Sequence, residues 1–526
     1  MEPNSETYVQ LPEEDPDNVS CCAKLLRHMY GTRAAADGWQ EEYSSFLVQT
    51  MGFCQGLSSP CVFRHPSKQL VVSVHGDDFT IAGACEDLDW FEAAIQEHYE
   101  CTVQPRIGPG PEDASEGLVL NRVVRWTAEG VEYEADPRQA EKLIAECGLT
   151  GSNTVATPGQ RLAFAELEKD LPLEKKLHTA FRGAAARSNY LAADRVDVQF
   201  AAKEICRWMS SPTEQSWAAM KRLCRYLVGL PRMVYTFNFQ EAKGIEVYTD
   251  TDWAGCPRTR KSTSGGLVML GRHLIKSWSS TQASISLSSG EAELNGVVRG
   301  AGIGLGYQSL VKDLGQHVPV RVWTDSSAAI GICSRQGLGK LRRLDTHTLW
   351  VQQAIRAQKI VLCKVDGETN PADLLTKHSL TRERLIELTK SLECRFRGGR
   401  ASLAPKMRAT PSTRMTMADA SNLSVDTLEE ETYALHYVYK PNEEGMLEVK
   451  DMKAVRVKGE LVLPHTHFEP EEVARRCPPL QVPDAVDADD PLDHEDDALL
   501  QAGKRIIDEL MADTARQGRR RRLQPG

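Results

Sequence analysis

Four acidic residues in the second half of the chain have the types and settings that metal-assisted phosphodiester chemistry requires. They are Asp250 in VYTDTDWAG, Glu293 in LSSGEAELNG, Asp325 in VRVWTDSSAAI and Asp373 in ETNPADLLTK. Three lie at strand ends or strand-to-helix turns and one lies early in a helix, so all four can converge on one site. Clustered carboxylates repel one another unless a cation lies between them, and a pair of divalent ions is the usual solution. Because two ions roughly 3.5–4 Å apart can hold an attacking water and a leaving oxygen in line, the pattern suits a nuclease.

Each of these residues also has a structural explanation when it is taken alone. Acidic residues are common at helix starts, where they cap backbone amides and favour the helix dipole. Asp325 before SSAAI and Asp373 after Pro371 are both good helix caps in this sense. The order and spacing of the four residues favour a shared site over separate caps.

The hydrophobic pattern around these residues predicts a mixed sheet with flanking helices. IEVYTDTD alternates as a half-buried strand does, and two further strands, GGLVML and HLIKSWSS, are joined by a hairpin at Gly271 and Arg272. A long helix is expected from about Ser288 to Leu314, with Glu293 in its first turns. The remaining elements are a strand in VRVWTD, a helix through Ala328 and Ile332, a helix in LDTHTLWVQQAIRAQ, a strand in IVLCKV and a short helix in PADLLTK.

These motifs, in this order over roughly residues 245–380, resemble the ribonuclease H domain of copia-type retrotransposon polyproteins. The resemblance is carried by YTDTDWAG, RKSTSGG, WSSTQASISLSSGEAEL, WTDSSAAI and NPADLLTK. It implies that Asp250, Glu293, Asp325 and Asp373 bind two Mg²⁺ ions, for which Mn²⁺ can substitute. Glu291 is excluded because it lies about 200° from Glu293 around the helix. Asp252, on the same strand face as Asp250, could support the site. Ser262, Thr263 and Ser264, after Arg260 and Lys261, could contact the nucleic-acid backbone, or could as easily form a polar turn.

The first half resembles the later part of a copia-type reverse transcriptase. The matching segments are YGTRAAADGWQEEYSSFLVQTMGF, SSPCVFR and QLVVSVHGDDFTIAG. The last of these predicts a hairpin with Asp77 and Asp78 at its tip, and the resemblance implies that both are catalytic metal ligands of a polymerase palm. A Gly-Asp-Asp sequence is also simply a good turn.

Two departures from the reverse transcriptase pattern affect the expected mechanism. His75 and Gly76 stand where the family usually carries an aromatic and an aliphatic residue. The family's other catalytic Asp precedes a segment resembling ETYVQLPEE, so we expect that strand to lie outside this chain. A two-metal polymerase without it should not hold its ions properly. We therefore expect no reverse transcription from this chain alone, and the N-terminal polymerase part is a possible partner.

Residues 185–229 read as two amphipathic helices that carry basic side chains with aromatic residues between them. Such a surface could follow a nucleic-acid backbone. The alternative is that the aromatic residues are core and the basic groups a solvated face. The residues in question are Arg187, Arg207, Lys221, Arg222 and Arg225, with Trp208, Trp217 and Tyr226.

Composition bounds the remaining possibilities. The 526 residues are 41% hydrophobic, enough for two or three domains, and carry a formal net charge of −10. Much of the acid lies in Pro12–Asp17 and Asp484–Ala498, so a local basic surface remains compatible with the total. The 14 cysteines show no zinc-ligand spacing, which favours reduced thiols in the cytosol or nucleus. No apolar run is long enough to cross a membrane.

The predicted organisation is an α/β chain of four segments. Residues 1–160 form a truncated polymerase palm, 161–244 a thumb or connection, and 245–393 a ribonuclease H-like mixed sheet with flanking helices. Residues 394–526 form a linker and a largely disordered charged tail, with one short strand in LEVKDMKAVRVKGELVLP and a basic end at Arg519–Arg522.

The expected activity is two-metal hydrolysis of the RNA strand of RNA–DNA hybrids, with RNA template and DNA as further partners. The alternatives are a non-catalytic hybrid-binding module and an inactive relic of a mobile element. The relic is favoured by five glycines in the long helix, each of which weakens it by roughly 0.5–1 kcal/mol relative to Ala unless close packing requires it. They are Gly296, Gly300, Gly302, Gly304 and Gly306.

Overall fold

The computed structural model describes nine stretches of the chain, which fall into two compact units. The stretches are residues 8–11, 21–29, 33–161, 166, 168–337, 339, 346–407, 434–441 and 447–455. One unit holds residues 8–53 and 434–455, and the other holds residues 54–407. The predicted acidic segments and the predicted basic end, Arg519–Arg522, lie outside the described residues. No helix in the described stretches combines the length and the apolar composition needed to cross a membrane.

The first unit contains small antiparallel pairs and one helix. Strands β1 and β2 pair with each other, and helix α1 continues into a single π-helical segment, Phe46–Thr50. Two later strands, β17 and β18, also form an antiparallel pair, and β18 lies within the strand predicted for the tail. The bounds are β1 Tyr8–Gln10, β2 Cys22–Lys24, α1 Arg33–Ser45, β17 Ala434–Pro441 and β18 Leu447–Val455.

The second unit begins with a four-stranded antiparallel sheet that contains the predicted Gly-Asp-Asp hairpin. Its order is that of the sequence, β3 to β6, and helix α2 follows. His75 pairs with Asp78 across the tip, and Gly76 takes a positive φ of 63° there. The predicted hairpin is therefore present, whereas its identity as a polymerase palm stays a prediction. The bounds are β3 Cys54–Gln55, β4 Val62–Arg64, β5 Leu70–His75, β6 Asp78–Gly83 and α2 Cys85–His98.

A five-stranded antiparallel sheet joins segments that the sequence analysis kept apart. Its order is β16-β10-β9-β8-β7. The segment from residue 394 was predicted to be a linker, but it begins with the sheet strand β16. Arg395 and Arg397 of this strand form ion pairs with the buried Glu132 of β9, which holds the strand on the sheet. The bounds are β7 Glu116–Val119, β8 Arg122–Thr127, β9 Gly130–Glu134, β10 Arg232–Asn238 and β16 Cys394–Arg397.

The basic, aromatic-rich stretch predicted as two helices contains parts of three. Its arginines are largely used internally: Arg187 pairs with Glu146 at 3.0 Å, and Arg225 donates to the Asn153 carbonyl at 2.8 Å. Tyr226 is fully buried. The core alternative is therefore correct for Tyr226. The helices are α3 Pro137–Glu146, α4 His178–Ala192, α5 Gln199–Cys206 and α6 Glu214–Gly229.

The third large sheet is the predicted mixed one, with the order β13-β12-β11-β14-β15. Strands β11 to β13 are antiparallel, and β14 and β15 run parallel to β11. The predicted hairpin at Gly271 and the predicted long helix are both present. The bounds are β11 Ile245–Asp252, β12 Thr263–Leu270, β13 His273–Thr281, α7 Ser289–Asp313, β14 Val320–Thr324, α8 Ser327–Ser334, α9 Trp350–Arg356, β15 Ile360–Lys364 and α10 Arg382–Ser391.

Three of the helix glycines allow α7 to approach β11 closely. A Cβ added at Gly296 would lie 2.7 Å from Thr251, one at Gly300 would lie 2.5 Å from Thr249, and one at Gly304 would lie 2.8 Å from Val247. A Cβ at Gly302 would meet no atom within 4 Å. Close packing therefore accounts for Gly296, Gly300 and Gly304, which recur at every fourth position on one helix face.

Candidate active site

Asp250 is held at the inner face of β11 by the segment that follows β15. The residue is 3% exposed, and the Thr376 hydroxyl donates a hydrogen bond to its Oδ2. Across the sheet it pairs with Gly265, where a Cβ would lie 2.6 Å from Thr376. The glycine therefore permits the contact that orients the carboxylate.

Glu293 enters the same region from the first turns of α7. Ser288 caps the helix by accepting from the Glu291 amide at 3.2 Å, and Glu291 accepts from the Leu287 amide at 3.0 Å. The Glu291 carboxylate is therefore used at the helix cap, which agrees with the prediction that Glu291 is not a metal ligand. Leu294 and Val297 are fully buried beside Glu293, so this helix face points into the core.

The capping explanation is wrong for both Asp325 and Asp373. Ser326 caps α8 by accepting from the Ala329 amide at 3.1 Å. Asn370 caps the short 3₁₀ helix Pro371–Leu375 by accepting from the Ala372 amide at 3.1 Å. Since neighbouring side chains cap these helices, neither aspartate is needed as the N-cap.

Three of the four predicted carboxylates come together. Tyr248 of β11 pairs with Trp323 of the parallel strand β14, which places Asp250 and Asp325 at the same level of the sheet. Asp250, Glu293 and Asp325 each offer an oxygen, and these oxygens lie within 4.8 Å of one another. We call these three residues the acidic triad.

The acidic triad is electrostatically crowded. Burial, followed by the charges of Asp373 and Asp325, raises the pKa of Asp250 to about 6. Burial, followed by the charge of Asp250, raises the pKa of Glu293 to about 8. Oε2 of Glu293 is buried without a hydrogen-bond partner among the described residues. A buried carboxylate oxygen without a donor is a position that a cation would satisfy.

Asp373, the fourth predicted residue, lies beside the acidic triad and is paired with a cation of the chain. The Lys377 ammonium contacts Asp373 Oδ1 and lies 4.0 Å from Asp250 Oδ2. Burial raises the pKa of Asp373 despite this contact. Burial alone would lower the pKa of Lys377, but the Asp250 and Asp373 charges raise it. Sequence reasoning missed Lys377 and Thr376, although the spacing of four residues from Asp373 to Lys377 was a signal for the pair.

The residues expected to support the site have other roles. Ser262, Thr263 and Ser264 are buried, so the prediction that they contact a nucleic-acid backbone is wrong. The Ser262 hydroxyl accepts from the Ala254 amide at 3.0 Å, and Thr263 accepts from Lys203 at 2.6 Å. Asp252 is half-buried, and the charges of Glu204 and Lys203 act on it.

Asp77 and Asp78 remain separate from the acidic triad. Both are exposed at the β5–β6 turn. No third acidic, histidine or cysteine side chain of the described residues joins them in a metal-sized cluster. They stay a prediction as polymerase ligands.

Comparisons with known proteins show what the chain is similar to. No protein-family model matches the chain. It is 26% identical over 381 residues to the "Retrovirus-related Pol polyprotein from transposon RE2" of Arabidopsis thaliana, covering 71% of this chain and 25% of that protein. It is 23% identical over 402 residues to the corresponding polyprotein from transposon TNT 1-94 of Nicotiana tabacum, covering 74% of this chain and 29% of that protein. The chain thus spans about a quarter of the length of these curated relatives.

Among solved structures, the N-terminal RNase H domain of Rv2228c from Mycobacterium tuberculosis, fused to maltose-binding protein, is 19% identical with a TM-score of 0.19. That match covers 29% of this chain and 99% of the other. The polyprotein relatives confirm the resemblance inferred from the motifs: over about 70% of its length the chain is homologous to retrovirus-related Pol polyproteins of copia-type transposons.

Proposed function

We propose that the chain is a divalent-metal-dependent nuclease that hydrolyses the RNA strand of RNA–DNA hybrids. The observation that carries this proposal is the convergence of Asp250, Glu293 and Asp325 within 4.8 Å from two parallel strand ends and one helix start. The relationship to Pol polyproteins supports a hybrid as the substrate, because reverse transcription produces one.

The residues of the acidic triad fit a hard divalent cation. All three donors are carboxylates, which Mg²⁺ and Mn²⁺ accept. Their crowding and the orphan Oε2 of Glu293 indicate a site whose negative charge the protein alone does not balance. Asp250, Glu293 and Asp325 would hold the first ion, and Asp373 would contribute to a second. When bound, such ions supply an activated water and stabilise the leaving oxygen.

The chain's own residues would keep the carboxylates in position. Thr376 fixes one oxygen of Asp250. Asn370 donates to the Thr249 carbonyl at 3.1 Å, which ties the last loop to β11. A Cβ at Gly367 would lie 3.1 Å from Asp325 Oδ2, so the backbone there closes one side of that carboxylate. Rigid support of this kind keeps ligands in a productive geometry.

Lys377 would pair with the carboxylates of the site in the absence of metal and with a substrate phosphate in its presence. Its ammonium contacts Asp373 and lies close to Asp250, and its side chain is 37% exposed. It can therefore leave the carboxylates when a metal ion neutralises them and then face a phosphate of the substrate.

We do not assign RNA-directed DNA synthesis to the Asp77–Asp78 hairpin. The two carboxylates are exposed, and no third metal-ligating side chain of the described residues is grouped with them. The nuclease proposal therefore concerns the acidic triad and the neighbouring Asp373, not the Asp77–Asp78 hairpin.

Cleavage of an end-labelled RNA–DNA hybrid by the full chain in Mg²⁺ tests the proposal. The Asp325→Asn variant should lose cleavage, and the Asp89→Asn variant is the matched control because Asp89 is an exposed residue of α2 outside the acidic triad. Cleavage by the wild type and the control alone supports the nuclease. An inactive wild type in Mg²⁺ and Mn²⁺, with a cooperative melting transition, would overturn the proposal and leave a hybrid-binding module or a relic.

A further inference from the structure

A cavity of about 540 Å³ lies where the loop after β11 meets helices α5 and α6. Its walls come from residues 158–161, from the two helices, from residues 254–260 and from His378. The loop follows directly on the strand that carries Asp250. Ala254 is the fourth residue after Asp250, so at most about 13 Å of extended chain joins them.

The charge of this cavity is predominantly positive. Four arginines line it, together with a single acidic residue, Glu204. That carboxylate is already neutralised, because Lys203 Nζ lies 2.5 Å and Arg207 Nε 3.0 Å from its Oε1. Arg161 and Arg260 are exposed and form no ion pair with any residue that the structure describes. The charge of the half-buried Asp252 acts on Arg161 without an ion pair between the two, so both guanidinium groups keep side-chain donors for an anion.

One wall of the cavity is an arginine stacked on an aromatic ring. The Arg258 guanidinium lies 4.8 Å from the centre of the Trp208 ring and donates to the Arg207 carbonyl at 3.2 Å. Arg258 also donates to the Ser211 hydroxyl at 3.5 Å, so its guanidinium is held in place and the contacts to a phosphate would come from Arg161 and Arg260. His378 also lines the cavity. Its ring lies 4.3 Å from that of Phe200, and burial lowers its pKa to about 4. At neutral pH the imidazole is uncharged, so the arginines set the charge of the cavity.

We propose that this cavity binds a backbone phosphate of a nucleic-acid strand at a position outside the cleaved bond, with Arg161 and Arg260 as its charged contacts. The identity of the strand as part of an RNA–DNA hybrid rests on the proposed function. The preference for a phosphate rests on the arginines themselves. The cavity holds the duplex in register while the acidic triad acts on a neighbouring phosphate.

The test is the salt dependence of hybrid binding by the full chain carrying Asp325→Asn, which removes cleavage from the measurement. A fluorescein-labelled RNA–DNA hybrid is titrated at several salt concentrations between about 50 and 200 mM. The test variant adds Arg161→Gln and Arg260→Gln. The matched control adds Lys312→Gln and Arg356→Gln, which remove the same charge from two exposed helix positions outside the cavity. Lys312 lies about 28 Å along α7 from Glu293.

We expect the cavity variant to bind about tenfold more weakly and its log–log salt slope to fall by roughly 1–2, since each lost phosphate contact removes about 0.9. The control should change both quantities far less, and melting temperatures should match. Equal losses in the two variants, or an unchanged slope, would overturn the inference. If the wild-type chain does not cleave hybrid but the cavity variant alone loses binding, phosphate binding in the cavity is supported and the nuclease proposal is rejected. If the wild-type chain cleaves hybrid but the salt slope of the cavity variant is unchanged, the nuclease proposal is supported and phosphate binding in the cavity is rejected.

Discussion

The acidic triad and the Asp77–Asp78 hairpin are both groups of carboxylates at strand ends, but they are built in opposite ways. The triad collects one residue each from β11, α7 and β14, and Asp250 in it is 3% exposed. The hairpin places two adjacent residues on one turn, both exposed. Convergence from separate elements forces charges together, whereas neighbours on a turn can point apart into water. A metal site therefore depends on the packing that prevents the carboxylates from separating.

The largest expected difference between the two regions is catalytic. Asp325→Asn should lower hybrid cleavage by about 10³-fold or more, because losing a ligand of the ion removes several kcal/mol of transition-state stabilisation. The paired change Asp77→Asn with Asp78→Asn should leave cleavage within about twofold. Rates of RNA-strand cleavage by the full chain, under single-turnover conditions, measure both. A large loss in the hairpin variant would contradict the separation of the two regions.

A second expected difference concerns the packing that brings Glu293 to the triad. Gly300→Ala should destabilise the chain by roughly 1–3 kcal/mol, because the new methyl lies 2.5 Å from Thr249 and overpacks the helix–sheet contact. Gly302→Ala is the control, and should stabilise by roughly 0.5–1 kcal/mol because nothing lies within 4 Å. Urea unfolding followed by tryptophan fluorescence gives both values. Equal effects would mean that α7 does not approach β11 so closely.

Lys377 allows the charge balance of the triad to be tested without metal. Lys377→Met should lower the unfolding free energy in EDTA by roughly 1 kcal/mol, a modest value because the ammonium is partly exposed to solvent. Added Mg²⁺ should restore more stability to this variant than to the wild type, since an ion replaces the missing charge. Lys312→Met is the control at an exposed position. Thermal melts with and without Mg²⁺ measure this difference. An equal rise in melting temperature with Mg²⁺ in Lys377→Met and in the wild type would show that Lys377 does not balance the charge of the triad.

A further expected difference is a pH dependence of stability in EDTA. The pKa of Glu293 is raised from 4.5 to about 8 in the folded chain, so the folded state holds this proton more tightly than the unfolded state. Its contribution is fully present below the unfolded pKa and is lost as pH rises toward 8. Melting temperatures measured between about pH 5 and pH 8 should fall less steeply for Glu293→Gln than for the wild type. Parallel curves would show that Glu293 titrates normally.

The local hydrophobic pattern of the sequence was sufficient to predict the strands and the helix that carry the triad. Alternation in IEVYTDTD, the long helix from Ser288 and the short strand before Asp325 were all predicted, and so was the hairpin at Gly271. These features are local because the backbone fixes the direction of each side chain relative to its neighbours. The resemblance to transposon Pol polyproteins also followed from the sequence, since the motifs that carry it stand in the expected order.

Tertiary structure decided which charged and polar groups meet. Asp373 was predicted as an equal fourth ligand, but it lies next to Lys377. Ser262 to Ser264 were predicted as surface contacts, but the packing of β12 buries them. The cavity at Arg161 and Arg260 brings together residues far apart in sequence. Periodicity reports which face of an element is buried, whereas the partner of a charge depends on how separate sheets and helices pack, and that is set by contacts between distant residues.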